Sequence, residues 1–483
     1  MNLADANKQI TKIEQNTNID KIKIKELNGW PIVRTVLYSI LAEKGIKPEK
    51  PSIRSFTSHQ IRRQIIISCA HYFSKSRIPK RSKLNSDTEV VFLCRASHQV
   101  SIKGHTAKFD RVLDPLFNEL NKNKQCQMYV LGIPKYKEYF FPKRHLARFG
   151  RFPAMEISGI VKSGLKKELD SWQIDTNKFD ESISRAEKDF SAGYFSAKKL
   201  FKENTKMEFL FTSVWYAAET MGYIAAAREI GIKVVEVQHA AEIYNHVMYF
   251  DWTKTPDGGY ELTPDRFMMW NDESSEIVNK SFAGGRKNTS VSIGYPWHDF
   301  YKFYGRVEIP PTSPPEFLKR VLFTLQTPTF ESKKRVPEFI IEYMQRDHSD
   351  VHFNFRCHPN DLNAQQEIKD LNRFNLKTKF EVTSGSDDLI ESLSRCNYHI
   401  TAYSTVCYEA QIYGIPTLLF GSESAEHYRR EIDEGVFQWT EGDAESLAQF
   451  LGSDHRIPEP KQKLVSSLEL LKQGLEEVMF SKP

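Results

Sequence analysis

YHITAYSTVCYEAQIYGIPTLLFG, residues 398–421, reads as strand, helix, strand. YHITA and PTLLFG are short apolar runs of the kind found in strands covered on both faces. STVCYEAQIYG lies between them. It opens on Ser404 and Thr405, and Gly414 with Pro416 stop it before the second strand. Two such strands joined by one helix imply a parallel crossover unit, with helices on the faces of a sheet.

Working outward, the alternation continues on the N-terminal side. RVLFTLQ (320–326), HFNFRC (352–357) and KFEVTS (379–384) read as strands; KRVPEFIIEYMQR (334–346) and DDLIESLSRC (387–396) read as helices, the latter behind the capping carboxylates Asp387 and Asp388. GRVEIPPTSPPEF (305–317) has four prolines and suits neither a helix nor a central strand, so it marks a linker. Before it the same grammar appears. EVVFLC (89–94), residues 127–131, MEFLFTS (207–213), IKVVEVQ (232–238), DRFMMWN (265–271) and TSVSIGYP (289–296) read as strands. RVLDPLFNELNKN (111–123) and AAETMGYIAAAREIG (217–231) read as helices. NGWPIVRTVLYSILAEKG (28–45) has helical apolar spacing, in a stretch set somewhat apart. The expected layout is an N-terminal helical extension (1–85), an α/β domain (86–304), a second α/β domain (305–460) and a closing helix (461–483).

Composition sets limits. The chain has 483 residues, 40% hydrophobic and 27% charged, enough for two or three domains with large cores. Cysteines 69, 94, 126, 357, 396 and 407 include no C-x-x-C pair and read as buried thiols of a reducing cytoplasm. The first twenty residues carry no apolar signal core, and no run reaches the ~18 apolar residues of a membrane span; the longest, 65–73, is far shorter. A net charge of +5 is too mild to indicate nucleic acid. Basic residues do cluster, at Lys75, Arg77, Lys80, Arg81 and Lys83, and again over 135–151 among Tyr136, Tyr139, Phe140, Phe141, Phe149 and Phe152. That mixture suits an anionic membrane surface, or equally a solvated loop with some core aromatics.

Ligands of open α/β sheets bind beyond the carboxyl ends of strands. In the second half those positions carry His358, stiffened by Pro359, then Ser404 and Thr405 at a helix start, then Glu409 one turn further on. An imidazole, hydroxyls with exposed backbone N–H groups, and a carboxylate would serve phosphate, phosphate and ribose in order. Each has a plainer reading: a loop histidine, an N-cap, a solvated helix face. Gln326 and Arg356, at the ends of their strands, complete the expected donor site. In the first half, His239 follows its strand and is the expected general base. Glu242, His98, His105 and Asp110 are the other candidates. No metal-type D-x-D, zinc spacing or phosphate-binding G-x-x-x-x-G-K-[ST] loop is present, and Gly284–Gly285 reads as a turn. Neither cofactor nor metal is expected.

RCHPND, AYSTVCYEAQIYGIPTLLF, VVEVQHA, NGWPIVR, FDRVLDPL and IGYPWHDF together resemble the bacterial capsule and O-antigen glycosyltransferases of GT-B fold, over roughly residues 25–450. The His-Pro and Ser-Thr pair is similar to transferases using CMP-sugars and to CDP-glycerol polymerases. The resemblance implies two Rossmann-like domains facing a cleft, with His358, Ser404 and Thr405 on the donor phosphate and Glu409 on the ribose. It implies a nucleotide-sugar donor, CMP-sugar first and UDP- or dTDP-sugar next. It further implies a saccharide or lipid-linked acceptor and metal-independent chemistry. The basic, aromatic segment 135–152, with no spanning run, leads to the expectation of a cytoplasmic enzyme peripheral to the inner membrane. Where related chains read Gln-His-Gly, this one has Ala240, whose Cβ bears on how closely an acceptor approaches. The alternatives are a phosphoalcohol transferase of the CDP-glycerol kind and a non-catalytic sugar-nucleotide-binding assembly subunit.

Overall fold

A computed structural model describes residues 3–44, 84–102, 104–131, 138–146, 152–202, 204–240, 246–256, 258–281, 290–304, 319–326, 335–358, 364–385, 387–453 and 468–480. Two all-parallel sheets organise the chain. The first holds β1 (Val90–Arg95), β2 (Cys126–Leu131), β3 (Lys143–Leu146), β4 (Phe209–Thr212), β5 (Lys233–Val237), β6 (Arg266–Met269) and β7 (Ser290–Ser292), in the order 7-6-5-4-1-2-3. The second holds β8 (Lys319–Thr324), β9 (Val351–Arg356), β10 (Lys379–Thr383), β11 (Tyr398–Thr401), β12 (Thr417–Phe420) and β13 (Gln438–Thr440), in the order 10-9-8-11-12-13. In each domain the first strand lies centrally. The chain winds outward to one side and then to the other, which is the Rossmann order. The point of reversal falls between β1 and β4 in one sheet and between β8 and β11 in the other. At such points adjacent crossovers diverge and leave a crevice at the strands' carboxyl ends.

In the first domain the segments read as apart are in fact built in. Helices α1 (Leu3–Asn16) and α2 (Trp30–Lys44) share one core with the sheet, where Ile10, Ile13, Trp30 and Leu37 meet Leu210 and Val234. Arg34 and Glu14 form a fully buried pair at 2.7 Å. Arg34 also donates to the carbonyls of Val247, Phe250 and Asp251, and Glu14 accepts from Trp30 Nε1. A charge pair buried this deeply is tolerable because its remaining donors and acceptors are satisfied. Helix α3 (Asp114–Leu120) follows β1, and a 26-residue helix, α4 (Thr176–Phe201), crosses α5 (Ala218–Glu229). The crossing is backbone on backbone. A Cβ at Gly193 would lie 1.9 Å from the Glu219 carbonyl oxygen, and one at Gly222 would lie 2.2 Å from that of Phe190.

The basic, aromatic stretch expected at a membrane is turned inward where it is described. Phe140 and Phe141 pack among Phe109, Phe300 and Tyr304, and Lys143 is buried against Asp114 at 2.7 Å. The cluster at residues 75–83, the remainder of 135–151 apart from 138–146, the run 65–73, the linker 305–317, Gly284, Gly285 and Pro359 lie outside the described residues. No described helix is long and apolar enough to cross a membrane.

Helix α6 (Pro296–Tyr304) joins the halves: Trp297, Phe300 and Tyr301 pack with Ile102 and Phe109 of the first domain and Ile390 of the second. In the second domain α7 (Leu389–Ser394) is capped by Asp388, as the sequence predicts, and α8 (Val406–Ile412) follows β11. The last helix, α9 (Leu468–Phe480), returns to the first domain, seating Leu471, Leu475 and Val478 against Val291, Ile293 and Val235. Arg430 of the second domain pairs with Glu273 of the first.

Candidate functional site

The carboxyl ends of both sheets face one another, and Glu409 marks where they meet. It lies in the first turn of α8, 8% exposed, directed toward the first domain. Tyr295, just before α6, donates its hydroxyl to Glu409 Oε1 at 2.6 Å. Arg111 of the first domain approaches the same oxygen at 4.0 Å. Among the described residues Glu409 Oε2 is buried without a hydrogen-bond partner, and so is the hydroxyl of Tyr413, one turn further along the chain. Burying unsatisfied polar atoms costs free energy, and a polar ligand that reached this pair would recover it. Burial, then the Glu409 and Asp388 carboxylates, raises the Tyr413 hydroxyl above its ordinary pKa, which keeps it a hydrogen-bond donor.

The neighbouring positions are ordered by the strands. Ser404 and Thr405 follow β11 and are half-buried; Ser404 Oγ accepts from Val406 N at 3.3 Å, so this hydroxyl caps the start of α8. His358 lies two residues past β9 and Gln326 two residues past β8, both half-buried. Gln326, Ser404 and Thr405 therefore flank the reversal point directly, with His358 one strand over. Arg356 has another task. Its guanidinium is buried and donates to Ser392 Oγ and to the carbonyls of Gly385 and Asp387, fastening the loop before α7 to the end of β9.

On the first-domain side the ends of β1, β4 and β5 bring His98, Ser213 and His239 together. The two imidazoles stack at 5.3 Å, and His98 Nδ1 lies 3.0 Å from Ser213 Oγ. His239 Nε2 is 3.4 Å from the Tyr216 hydroxyl, while its Nδ1 is buried without a partner among the described residues. His239 keeps part of its surface open, yet most of its surroundings are protein. Desolvation, then the charges of His246, Arg111 and Arg95, lowers its pKa to about 3. Desolvation and the same two arginines hold His98 well below its ordinary value. Both rings are neutral at pH 7 and able to accept a proton. Beneath them, burial raises Glu236 to about 8; it accepts from Tyr249 Oη at 2.6 Å and from Trp215 N at 3.2 Å.

The other base candidates fare differently. Asp110 is fully buried and occupied: Oδ1 accepts from the Val112 and Leu113 amides and Oδ2 from Gln99 Nε2, so it caps the turn into α3 and is not placed to take a substrate proton. His105 packs on Phe109 and Phe140, with Nε2 2.8 Å from the Tyr304 carbonyl oxygen, which accepts if that nitrogen carries the proton. It is thereby tied to α6. Glu242 lies outside the described residues, whereas Ala240 is described and half-buried beside His239. Among the described residues no group of three or more His, Cys, Asp or Glu is placed to hold a metal ion. Sequence reasoning missed Arg111, Tyr295, Tyr413 and Tyr216. The first two lie inside FDRVLDPL and IGYPWHDF, stretches quoted for the resemblance without a role for either residue.

Among solved structures, the chain is similar to a UDP-GlcNAc 2-epimerase from Neisseria meningitidis bound to UDP-GlcNAc, with TM-score 0.51 and 12% identity over 82% of this chain and 100% of that one. The UDP-GlcNAc 2-epimerase of Methanocaldococcus jannaschii gives the same score, identity and coverage. The fold is GT-B. At such identity the likeness extends to the fold alone. No family model matches the chain, and no curated protein matches it in sequence.

Proposed function

We propose that the protein is a glycosyltransferase whose second domain holds a nucleotide-activated sugar and whose first domain presents the acceptor and the base. The observation that carries this reading is the pair of unsatisfied buried oxygens, Glu409 Oε2 and Tyr413 Oη, at the reversal point of a Rossmann sheet. A ribose offers two vicinal hydroxyls, donors to the carboxylate and acceptors for the phenol. The phosphate then lies toward Thr405, Gln326 and His358, and the sugar toward the first domain. From the sequence motifs, CMP-sugars are the first expected donors, UDP- and dTDP-sugars the next, and the acceptor is a saccharide or lipid-linked glycan of a bacterial surface polysaccharide.

His239 is the proposed base. It is unprotonated at neutral pH, which a base requires. An imidazole near 3 is a weak base, and the donor's phosphate charge raises it toward the working range when the cleft fills. In the transfer, the acceptor oxygen bonds to the anomeric carbon as its proton passes to His239. The bond from that carbon to the phosphate oxygen breaks, and the pair stays on the departing nucleotide. This reading assumes inversion; retention would leave His239 to position the acceptor.

The test is turnover with CMP-, UDP- and dTDP-sugars and with CDP-glycerol, followed by mass spectrometry of the product. A glycosidic product from a sugar donor supports the reading. A phosphodiester product from CDP-glycerol, or donor binding without turnover of any, contradicts it. The inner-membrane location belongs to the same proposal; flotation with anionic and with neutral vesicles checks it, and equal recovery with both counts against it.

A further inference from the structure

We infer that Arg111 is the first domain's anchor for the phosphate next to the donor's ribose. The inference rests on the reading that Glu409 holds that ribose. The backbone on both sides of Arg111 is pinned. Its N–H donates to the His98 carbonyl at 3.2 Å, and Asp110, the residue before it, accepts from the two amides that follow it. The side chain therefore leaves a fixed point and reaches across the cleft, ending 4.0 Å from Glu409 Oε1. That separation is an ion pair too long for a hydrogen bond, and the same oxygen accepts from Tyr295 at 2.6 Å. Among the described residues none accepts a hydrogen bond from this guanidinium, although it keeps 28% of its surface. A guanidinium has five donors in a planar fork that matches two phosphate oxygens.

The charges facing it leave room for an anion. His98 and His239 are neutral at pH 7. Arg95, the other cation of this wall, is committed to Thr220 and the Val214 carbonyl. Burial holds Glu236 largely protonated. Glu409 is thus the carboxylate opposite Arg111, and a ribose would engage it through hydroxyls that leave its charge in place. In a nucleotide the 5′-phosphate lies across the ribose ring from the diol, and the long Arg111 side chain, which starts from a fixed backbone and ends beside Glu409, can swing to meet it. When the glycosidic bond breaks, the bonding pair adds charge to that phosphate. Arg111 would stabilise this charge from the acceptor side while the second domain holds the nucleotide from the other.

The experiment compares cytidine with CMP, the pair differing only by the phosphate, in calorimetric and ligand-observed NMR titrations of wild type, Arg111→Gln, Arg111→Lys and Glu409→Gln. Arg111→Gln is expected to weaken CMP about 10- to 100-fold, the loss of a charge-assisted hydrogen bond, while leaving cytidine within about twofold. Arg111→Lys restores part of that loss. Glu409→Gln weakens both ligands, which reports separately on the ribose reading. Equal weakening of cytidine and CMP by Arg111→Gln would make the residue a brace for Glu409 and overturn the inference, as would unchanged CMP affinity. Should wild type bind neither, the uridine and UMP pair is run the same way; no binding in either pair overturns both the inference and the ribose reading.

Discussion

His239 and Glu409 lie on different domains and are proposed to have different duties, which substitution should separate. His239→Ala removes a proton acceptor but no donor contact. It is expected to bind nucleotide as wild type does while losing about 10²- to 10⁴-fold in kcat. Steady-state kinetics alongside calorimetry checks this, and a variant keeping more than about a tenth of wild-type turnover would remove His239 from the base role. That role would then pass to Glu242 or His98, because Asp110 is spent on capping and His105 is tied to α6. His358→Ala is expected to weaken nucleotide binding by about 1.5–3 kcal/mol, as for a lost hydrogen bond to a charged group. Unchanged affinity in the folded variant would place His358 outside the site. The residue scale is also where the sequence was least legible. His358, Ser404, Thr405 and Glu409 could be named because strand ends announce them. Arg111 meets Glu409 across 298 positions of chain, and no local pattern carries that encounter. Arg356 looked like a ligand for the same reason as its neighbours. Only its burial and its three acceptors reveal a fastening role.

Among elements, buried parallel strands were readable because their composition is monotonous: β4 and the core of β1 are buried throughout. Helix α4 was not read, and the reason is in its packing. It buries a regular stripe, Phe179, Ile183, Ala186, Phe190, Ala197 and Phe201, and meets α5 at Gly193, but the many charged residues between these positions mask the stripe in the sequence. β13, three residues long, is too short to stand out. The α4–α5 crossing gives a sharp expectation. Gly193→Ala must push a methyl into the Glu219 carbonyl, and should cost about 1–3 kcal/mol or more in chemical denaturation, with the slope unchanged. A neutral substitution would mean the helices are not in backbone contact. The second sheet makes a pH prediction. His399 is fully buried between Thr324 and Thr417, bridging β8, β11 and β12, and desolvation lowers its pKa to about 3. Its folded value lies below the unfolded one of about 6.5, so the unfolded chain binds the extra proton. The stability it contributes is present above pH 6.5 and lost as pH falls toward 3, at up to about 1.4 kcal/mol per unit. Compared with His399→Gln, the wild type's advantage should shrink over that range; an advantage constant with pH would contradict the assignment of a neutral buried ring.

Over the whole molecule, two Rossmann sheets present their carboxyl ends to one cleft, and the chain crosses between them at α6 and again at α9. The second crossing means that the C-terminus stabilises the N-terminal domain. Leu475 is buried against the first sheet's core, and Leu475→Ala should cost about 2–5 kcal/mol in the unfolding of that domain. The two-domain plan was legible because the strand–helix alternation restarts after a proline-rich break. The integration of α1 and α2 was not, because their core partners lie some two hundred residues away. The proposal that the cleft takes a donor nucleotide is tested most directly by thermal unfolding in the presence of a panel of pyrimidine nucleotides. A ligand of the native state raises the midpoint, by an amount that grows with the logarithm of its concentration relative to its dissociation constant. The account predicts that at least one of CMP, CDP, UDP and dTDP raises it, that Glu409→Gln abolishes most of the rise, and that His239→Ala retains it. No rise with any nucleotide, or a rise indifferent to Glu409→Gln, would contradict it.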